Sequence, residues 1–346
     1  MKACVLHNIN DLKYEEVPMP SLKEGEVLLK IKASGICGSD IQRVFEKGTY
    51  HFPTIPGHEF AGEIVDAFDE KDKALIGKKA AVFPLLPCFQ CSSCQIGEYA
   101  QCKSYNYYGS RCDGGFAEYL AVKIFNLVLL PEGVSFEEAA MCEPTAVAIH
   151  ALSQAGINFG DTVTIFGAGT IGVMLALVAK AWGASKIILV DIDEQKLLFA
   201  RKLGFLLSFN SKETDIIEKI EELTEGKGSD VTVEGTGVSA AFESCMKVAG
   251  TFGKVVLMGN PIKEMTLSQK AYWEILRKQL KLLGTWNSSY NEMKNDWKKA
   301  VNAMPQLDLK RLITHHFDFA DCNKAFLMMK NQSEFFVKVL FVNEGE

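Results

Sequence analysis

The stretch Thr162-Val163-Thr164-Ile165-Phe166-Gly167-Ala168-Gly169-Thr170-Ile171-Gly172 decides the fold. Its first five residues, β-branched or apolar, read as a buried strand. A G-x-G-x-x-G follows and opens the apolar run 171–182, which reads as a helix. In such a loop the first glycine makes the tight turn, the second lets the backbone approach a pyrophosphate, and the third lets helix pack on strand. Gly167, Gly169, Thr170, Ile171 and Gly172 then lead into a helix N-terminus, whose free N–H groups and partial positive charge suit a phosphate. The next apolar run, 186–190, ends on Asp191, 19 residues beyond Gly172. A carboxylate there can accept hydrogen bonds from both ribose hydroxyls and would repel a 2'-phosphate. No arginine stands directly behind Asp191, so NAD(H) is expected in preference to NADP(H). A glycine turn without a ligand is the competing reading.

Working outward, the chain from 147 to 286 alternates strand and helix. The helical stretch runs to 155, followed by strand 162–166, helix 171–182, strand 186–190, helices 194–203 and 214–222, strand 230–234, helix 239–248 and strands 254–258 and 281–286. That alternation predicts βαβ units and a doubly wound parallel sheet. Residues 1–146 instead carry short β-type runs such as 26–31 and 117–122, separated by Gly, Pro and polar turns. They predict a β-rich first domain, for an α/β protein overall. The segment 287–346 ends in the apolar run 335–342, which needs a sheet to join and is expected to return to the first domain.

Composition narrows the function classes. With 346 residues, 48% hydrophobic and 23% charged, the chain is too long for one compact core and too apolar for disorder. Lys plus Arg number 37 against 43 for Asp plus Glu, a net charge of -6; this excludes the positive surface a nucleic-acid partner requires. No apolar run reaches the roughly 18 to 20 residues that span a bilayer, and acidic residues follow the N-terminus too closely for a signal peptide. A cytoplasmic protein acting on a small molecule is expected. In that reducing setting the spacing of the ten cysteines points to metal or catalysis rather than to disulfides.

Cys88, Cys91, Cys94 and Cys102 form C-x2-C-x2-C-x7-C. Four thiolates so close in sequence can enclose one tetrahedral ion and leave no open position, which predicts a structural zinc holding together the lobe 87–105. An iron–sulfur cluster is the competing use of such a run. Cys37, His58 and Glu143 could supply a thiolate, an imidazole and a carboxylate to a second, open site. Spacing alone does not establish it, since scattered residues of these types are usually a buried thiol, a satisfied histidine and a surface acid.

The motifs Gly57-His58-Glu59-x-x-Gly62, the cysteine lobe, Glu143-Pro144 and the glycine loop stand in the order found in zinc-dependent medium-chain dehydrogenases, and the chain resembles that family over nearly its whole length. Within it, the chain resembles the polyol and sugar-alcohol branch, where a Glu stands at the position of Glu143, and the segments 84–88 and 109–119 resemble the members of that branch that act on a sugar-alcohol phosphate. The resemblance implies a GroES-like catalytic domain (1–146), a Rossmann domain (147–286), a cleft between them, and a homodimer or homotetramer. It implies two zinc ions, one catalytic and one structural, with NAD as cofactor. Cys37 and His58 become ligands of the catalytic zinc, Glu143 a third ligand directly or through water, and Glu59 a ligand or a base behind it. Ser39 becomes the hydroxyl that accepts the alcohol proton. Lys338 stands where relatives place a basic residue toward the cofactor pyrophosphate, with a surface lysine as the alternative reading. Gln42 replaces the histidine that relatives use to pass the proton to solvent, so the exit must differ. Phe68 stands where many relatives have glycine and is expected to alter a turn only. Cys142 reads as a packed thiol.

For the substrate, the resemblance implies a secondary alcohol of a sugar-alcohol phosphate. Arg43, Lys47 and Arg111 flank the metal motifs as candidate phosphate ligands, and Trp286 and Asn287 are candidate cleft residues. An unphosphorylated polyol or a 3-hydroxy amino acid such as threonine is the alternative substrate. A catalytically silent NAD- or zinc-binding protein is the alternative class.

Overall fold

A computed structural model describes residues 1–343. The chain divides into two compact units: Met1–Ala146 together with the segment from Ser289 onward, and Val147–Ser288. Each is built on its own sheet.

In the second unit six parallel strands lie in the order Ser208–Asn210, Lys186–Asp191, Thr162–Phe166, Ser229–Glu234, Ala249–Leu257, Lys281–Gly284. This is the doubly wound order, whose direction of winding reverses beside the first strand, so a crevice opens at the carboxyl ends of Thr162–Phe166 and Ser229–Glu234. The strands read as continuous apolar runs because helices cover both faces. Val163, Ile165, Ile188, Leu189, Val231 and Val233 are all wholly buried. Two elements escaped the periodicity. Strand Ser208–Asn210 has only three residues, and helix Gln269–Arg277 is largely exposed, with Ala271 its one buried residue. The helix expected to run to 155 begins earlier, spanning Cys142–Ala155, and so carries Glu143 in its first turn.

The first unit holds a seven-stranded sheet in which strand Glu26–Gly35 is central. It pairs antiparallel with Glu59–Ala67, with Tyr119–Lys123 and with Lys338–Val342. The terminal apolar run therefore joins this sheet. Along Glu26–Gly35 the side chains of Val27, Leu29, Ile31 and Ala33 alternate inward, as a strand with one packed face requires. Val27, Leu29 and Ile31 meet a core that includes Phe60, Phe116, Phe326 and Phe341, with the Phe116 and Phe341 rings edge to face at 5.1 Å, and Ala33 packs with Ala140 and Leu340. Register matters more than composition here: Gly35 faces Glu59, and Leu340 faces Gly35. Three distant strands thus bring the ends that carry Cys37, His58–Glu59 and Lys338 to one place. Phe68 is an exposed turn residue whose N–H donates to the Glu26 carbonyl.

Gly62 shows how tightly the central pair is drawn. A Cβ on it would stand 2.2 Å from the Lys30 carbonyl oxygen, whereas a Cβ on Gly284, also in a strand, meets nothing. Gly62→Ala should lower stability by about 1–3 kcal/mol through enforced backbone shift, while Gly284→Ala should leave it unchanged or slightly raised. Urea midpoints of the two variants provide the comparison; equal shifts would contradict this account of the strand pair.

Candidate active site and metal centres

The site begins with the turn that leaves strand Glu26–Gly35. Cys37 precedes a short helix, Gly38–Gln42, and its N–H donates to Asp40 Oδ2 at 3.0 Å. Asp40, wholly buried, turns its other oxygen to Arg43 Nη1 at 2.8 Å and to His58 Nδ1 at 3.3 Å. The latter approach lacks hydrogen-bond alignment and leaves His58 Nδ1 buried without a hydrogen-bond partner. Arg43 opens a single π-helical turn, Arg43–Lys47, a feature that often marks functional sites. From there Arg43 Nη1 also donates to Ser39 Oγ at 2.9 Å. An arginine cannot take a proton, so Ser39 keeps its own hydroxyl hydrogen for another partner.

Strand Glu59–Ala67 delivers His58 and Glu59. Gly57 precedes them at φ +96°, where a Cβ would strike the Phe116 ring at 2.5 Å. Ligand atoms of Cys37, His58 and Glu59 all lie within 4.8 Å of one another. A sulfur, a nitrogen and an oxygen at that spacing fit a divalent metal with a position to spare. The orphaned imidazole nitrogen beside Asp40 matches the carboxylate–histidine arrangement that fixes a ligating ring.

Charge at this centre is finely balanced. Burial alone would raise the Asp40 pKa, but His58, Arg43 and the Cys37 N–H together hold it down at about 2. Burial alone would lower that of His58, yet Asp40 and Cys37 raise it well above the ordinary value. A metal must displace that proton to bind. Burial, with Glu59 adding repulsion against the opposing pull of His58, pushes the Glu143 pKa up to about 7.

The sequence-derived candidates separate here. Glu59 lies within ligand reach, and Glu143 lies outside the close group, 3.4 Å from the Tyr107 hydroxyl, which donates to its Oε1. Lys338 is buried, and its ammonium donates to Glu59 Oε2 and to the Ile36 carbonyl. The cation stands beside Glu59 rather than at the surface, because Lys338 opens the strand that pairs with Gly35. Gly35 itself makes the room, since a Cβ there would meet Glu59 Oε2 at 2.4 Å. Lys47 donates to Gln42 at the surface, and Arg43 is held by Asp40. Arg111 lies on the faces of Tyr50 and Tyr105. Cys142 is a packed thiol, wholly buried. Trp286 is 56% exposed and Asn287 has φ +54°; both belong to the second unit. Asp40 and Tyr107 were missed. Asp40, three residues after Cys37, had helix-turn spacing as its only signal, and Tyr107 had none.

Sulfur atoms of Cys88, Cys91, Cys94 and Cys102 also fall within 4.8 Å of one another. The Cys88–Cys94 and Cys91–Cys94 separations are 3.9 and 3.6 Å. A tetrahedron with Zn–S arms of about 2.3 Å has edges of about 3.8 Å, so the cage has the size of zinc. Backbone N–H groups of Cys94 and Lys103 lower the Cys91 pKa to about 6, while burial and the neighbouring thiols push that of Cys94 up to about 12. Four thiols so crowded cannot all ionise without a cation.

In the second unit the glycine loop borders a pocket of about 530 Å³, lined by Gly167, Gly169, Asp191, Gly235, Thr236 and Lys196 among others. A Cβ on Gly172 would lie 1.8 Å from the Gly167 carbonyl oxygen; one on Gly169 would meet no protein atom. The space before Gly169 is thus left for a ligand to approach the backbone. Asp191 is pinned by three N–H groups, from Ala168, Ile192 and Asp193.

The lobe yields a direct test. Cys94→Ser should remove about one metal equivalent per chain and open the lobe to proteolysis between Pro87 and Tyr105, since metal binding is what orders such a loop. Metal analysis and peptide mapping provide the readouts; unchanged metal content would contradict the cage.

Residues 170–305 match the zinc-binding dehydrogenase family and residues 23–132 match the alcohol dehydrogenase GroES-like domain. Galactitol 1-phosphate 5-dehydrogenase of Escherichia coli (strain K12) is 36% identical over 94% of this chain and 95% of its own. Sorbitol dehydrogenase of Bacillus subtilis (strain 168) is 36% identical over 75% of each. The crystal structure of galactitol-1-phosphate dehydrogenase from Escherichia coli superposes with a TM-score of 0.92 at 34% identity, covering 99% of this chain and 100% of that one. With both domain types matched and relatives aligned nearly end to end, the chain belongs to the zinc-dependent medium-chain alcohol dehydrogenases, oxidoreductases that act on CH–OH groups.

Proposed function

We propose that the enzyme interconverts a secondary alcohol of a sugar-alcohol phosphate and the corresponding ketose phosphate, with galactitol 1-phosphate and tagatose 6-phosphate as the pair. The observation that carries the chemistry is the three-donor group of Cys37, His58 and Glu59, which leaves one tetrahedral position for a substrate oxygen. The phosphorylated substrate draws support from the likeness to galactitol 1-phosphate 5-dehydrogenase, and the equal identity to sorbitol dehydrogenase supports the unphosphorylated polyol as the alternative.

When bound, zinc supplies a Lewis acid for the alcohol oxygen and NAD supplies the hydride acceptor. Cys37, His58 and Glu59 would hold the metal, with Glu143 as the alternate carboxylate. Asp40 faces Nδ1 of the His58 ring at 3.3 Å, where it would orient the ring once the metal takes the other nitrogen. Lys338 holds one Glu59 oxygen and leaves the other available. Ser39 Oγ, positioned by Arg43, takes the alcohol proton as it gives up its own. Gln42 has no titratable group, so that proton leaves by water. Asp191 favours NAD through its carboxylate, which accepts from ribose hydroxyls and repels a 2'-phosphate.

A homodimer or homotetramer is part of the proposal. Strand Lys281–Gly284 ends its sheet without an outer partner among the described residues, and Leu282 is 41% exposed beside it; a second copy would cover such an edge. A cytoplasmic setting accords with ten free cysteines. No helix among the described residues is long and apolar enough to cross a membrane.

Steady-state kinetics with NAD over galactitol 1-phosphate, galactitol, sorbitol, xylitol and threonine test the proposal. The phosphate ester should give the highest kcat/KM. His58→Ala should lower kcat by at least about 10³-fold, the several kcal/mol that a Lewis acid contributes, and should retain the lobe metal. A higher kcat/KM for sorbitol or threonine would overturn the substrate, and an active His58→Ala enzyme would overturn the metal site.

A further inference from the structure

We infer that Arg111, clamped between Tyr50 and Tyr105, is the residue that binds the phosphate of the substrate; this rests on reading the metal group as a polyol-phosphate dehydrogenase centre. The Arg111 guanidinium carbon lies 4.0 Å from the Tyr50 ring centroid and 4.5 Å from that of Tyr105. Nη2 donates to the Tyr50 hydroxyl at 3.1 Å, and no carboxylate among the described residues pairs with the group. With two rings within 4.5 Å and one N–H on the Tyr50 hydroxyl, the guanidinium is held in place and its remaining N–H groups are what it has to offer. Those groups match two oxygens of a phosphate.

The backbone beneath the clamp is equally fixed. N–H groups of Ser110, Arg111 and Cys112 all donate to the Tyr107 carbonyl, the Tyr50 N–H donates to the Ser110 carbonyl, and His51 Nε2 lies 3.2 Å from the Arg111 carbonyl. The same turn reaches the metal group. The Tyr107 ring stands 5.8 Å from that of His58 and 6.2 Å from that of Tyr105. A file of rings therefore joins the metal ligands to the clamp.

The other two cations near the metal motifs fit the task less well. The charge of Arg43 is already met by buried Asp40. Lys47 is an exposed point charge on a flexible stem that donates to Gln42. Arg111 alone of the three combines an unmet charge with a fixed, two-donor edge.

The experiment compares kcat/KM for galactitol 1-phosphate with that for galactitol in the full-length zinc enzyme. Arg111→Gln should reduce this ratio about 10- to 100-fold, the worth of a charge-assisted pair. Arg111→Lys should recover part of it, and Lys47→Gln should move it less than about 2-fold. Inorganic phosphate should compete with the ester, with an inhibition constant that Arg111→Gln raises by a similar factor. An unchanged ratio and inhibition constant, including an equal loss on both substrates, would overturn the inference while leaving the dehydrogenase reading intact. A larger effect of Lys47→Gln than of Arg111→Gln would overturn it as well. Failure of the unaltered enzyme to oxidise the ester would instead overturn the substrate reading and the inference with it.

Discussion

The first unit depends on balancing charge out of water. Asp40, Glu59 and Lys338 are each no more than 2% exposed, and His58 only 4%. Isolated ions at such depth would cost several kcal/mol each, so every one must find an opposite partner. Arg43 answers Asp40, and Lys338 answers Glu59. His58 and Cys37 remain, together with Glu143, whose pKa stands near 7. Without a metal the imidazole itself tends to carry the positive charge; a divalent cation supplies that charge and frees the nitrogen to ligate. The protein's own cations hold the carboxylates in place and leave the last positive charge to be filled from outside.

This balance explains why the sheet register is so closely specified. Glu59 faces Gly35 from one side, and the strand opening at Lys338 pairs with the same strand from the other. A slip of one residue would turn Glu59 to the other face and separate a pair whose members are 279 residues apart in sequence. Glycines at 35, 57 and 62 are places where a methyl group would collide with this arrangement, so the Gly-His-Glu-x-x-Gly motif is as much a packing statement as a chemical one.

What could be read in advance follows from sequence distance. The glycine loop and the cysteine lobe are local: their functional atoms lie within a few residues, and spacing alone expresses the geometry. The strand–helix alternation of the second unit was legible for the same reason, apart from the three-residue strand at Ser208–Asn210 and the exposed helix Gln269–Arg277. The open metal group was legible only through family resemblance, because Cys37, His58 and Glu59 meet through strand pairing. The pairing of Lys338 with Glu59 was not legible, since nothing near either residue in sequence signals the other. Tyr107 and the Arg43–Ser39 contact left no trace at all. Even Asp40, three residues after Cys37, gave no sign that it would be the group on which Arg43 and His58 converge.

The most direct measurement is the absorption spectrum of enzyme in which cobalt(II) replaces the metal at the Cys37 site. The expected result is a thiolate-to-cobalt charge-transfer band that is abolished by Cys37→Ser, with four-coordinate d–d bands that shift when the polyol phosphate is added, because one position of the metal exchanges. A spectrum indifferent both to Cys37→Ser and to substrate would contradict the open thiolate–imidazole–carboxylate centre.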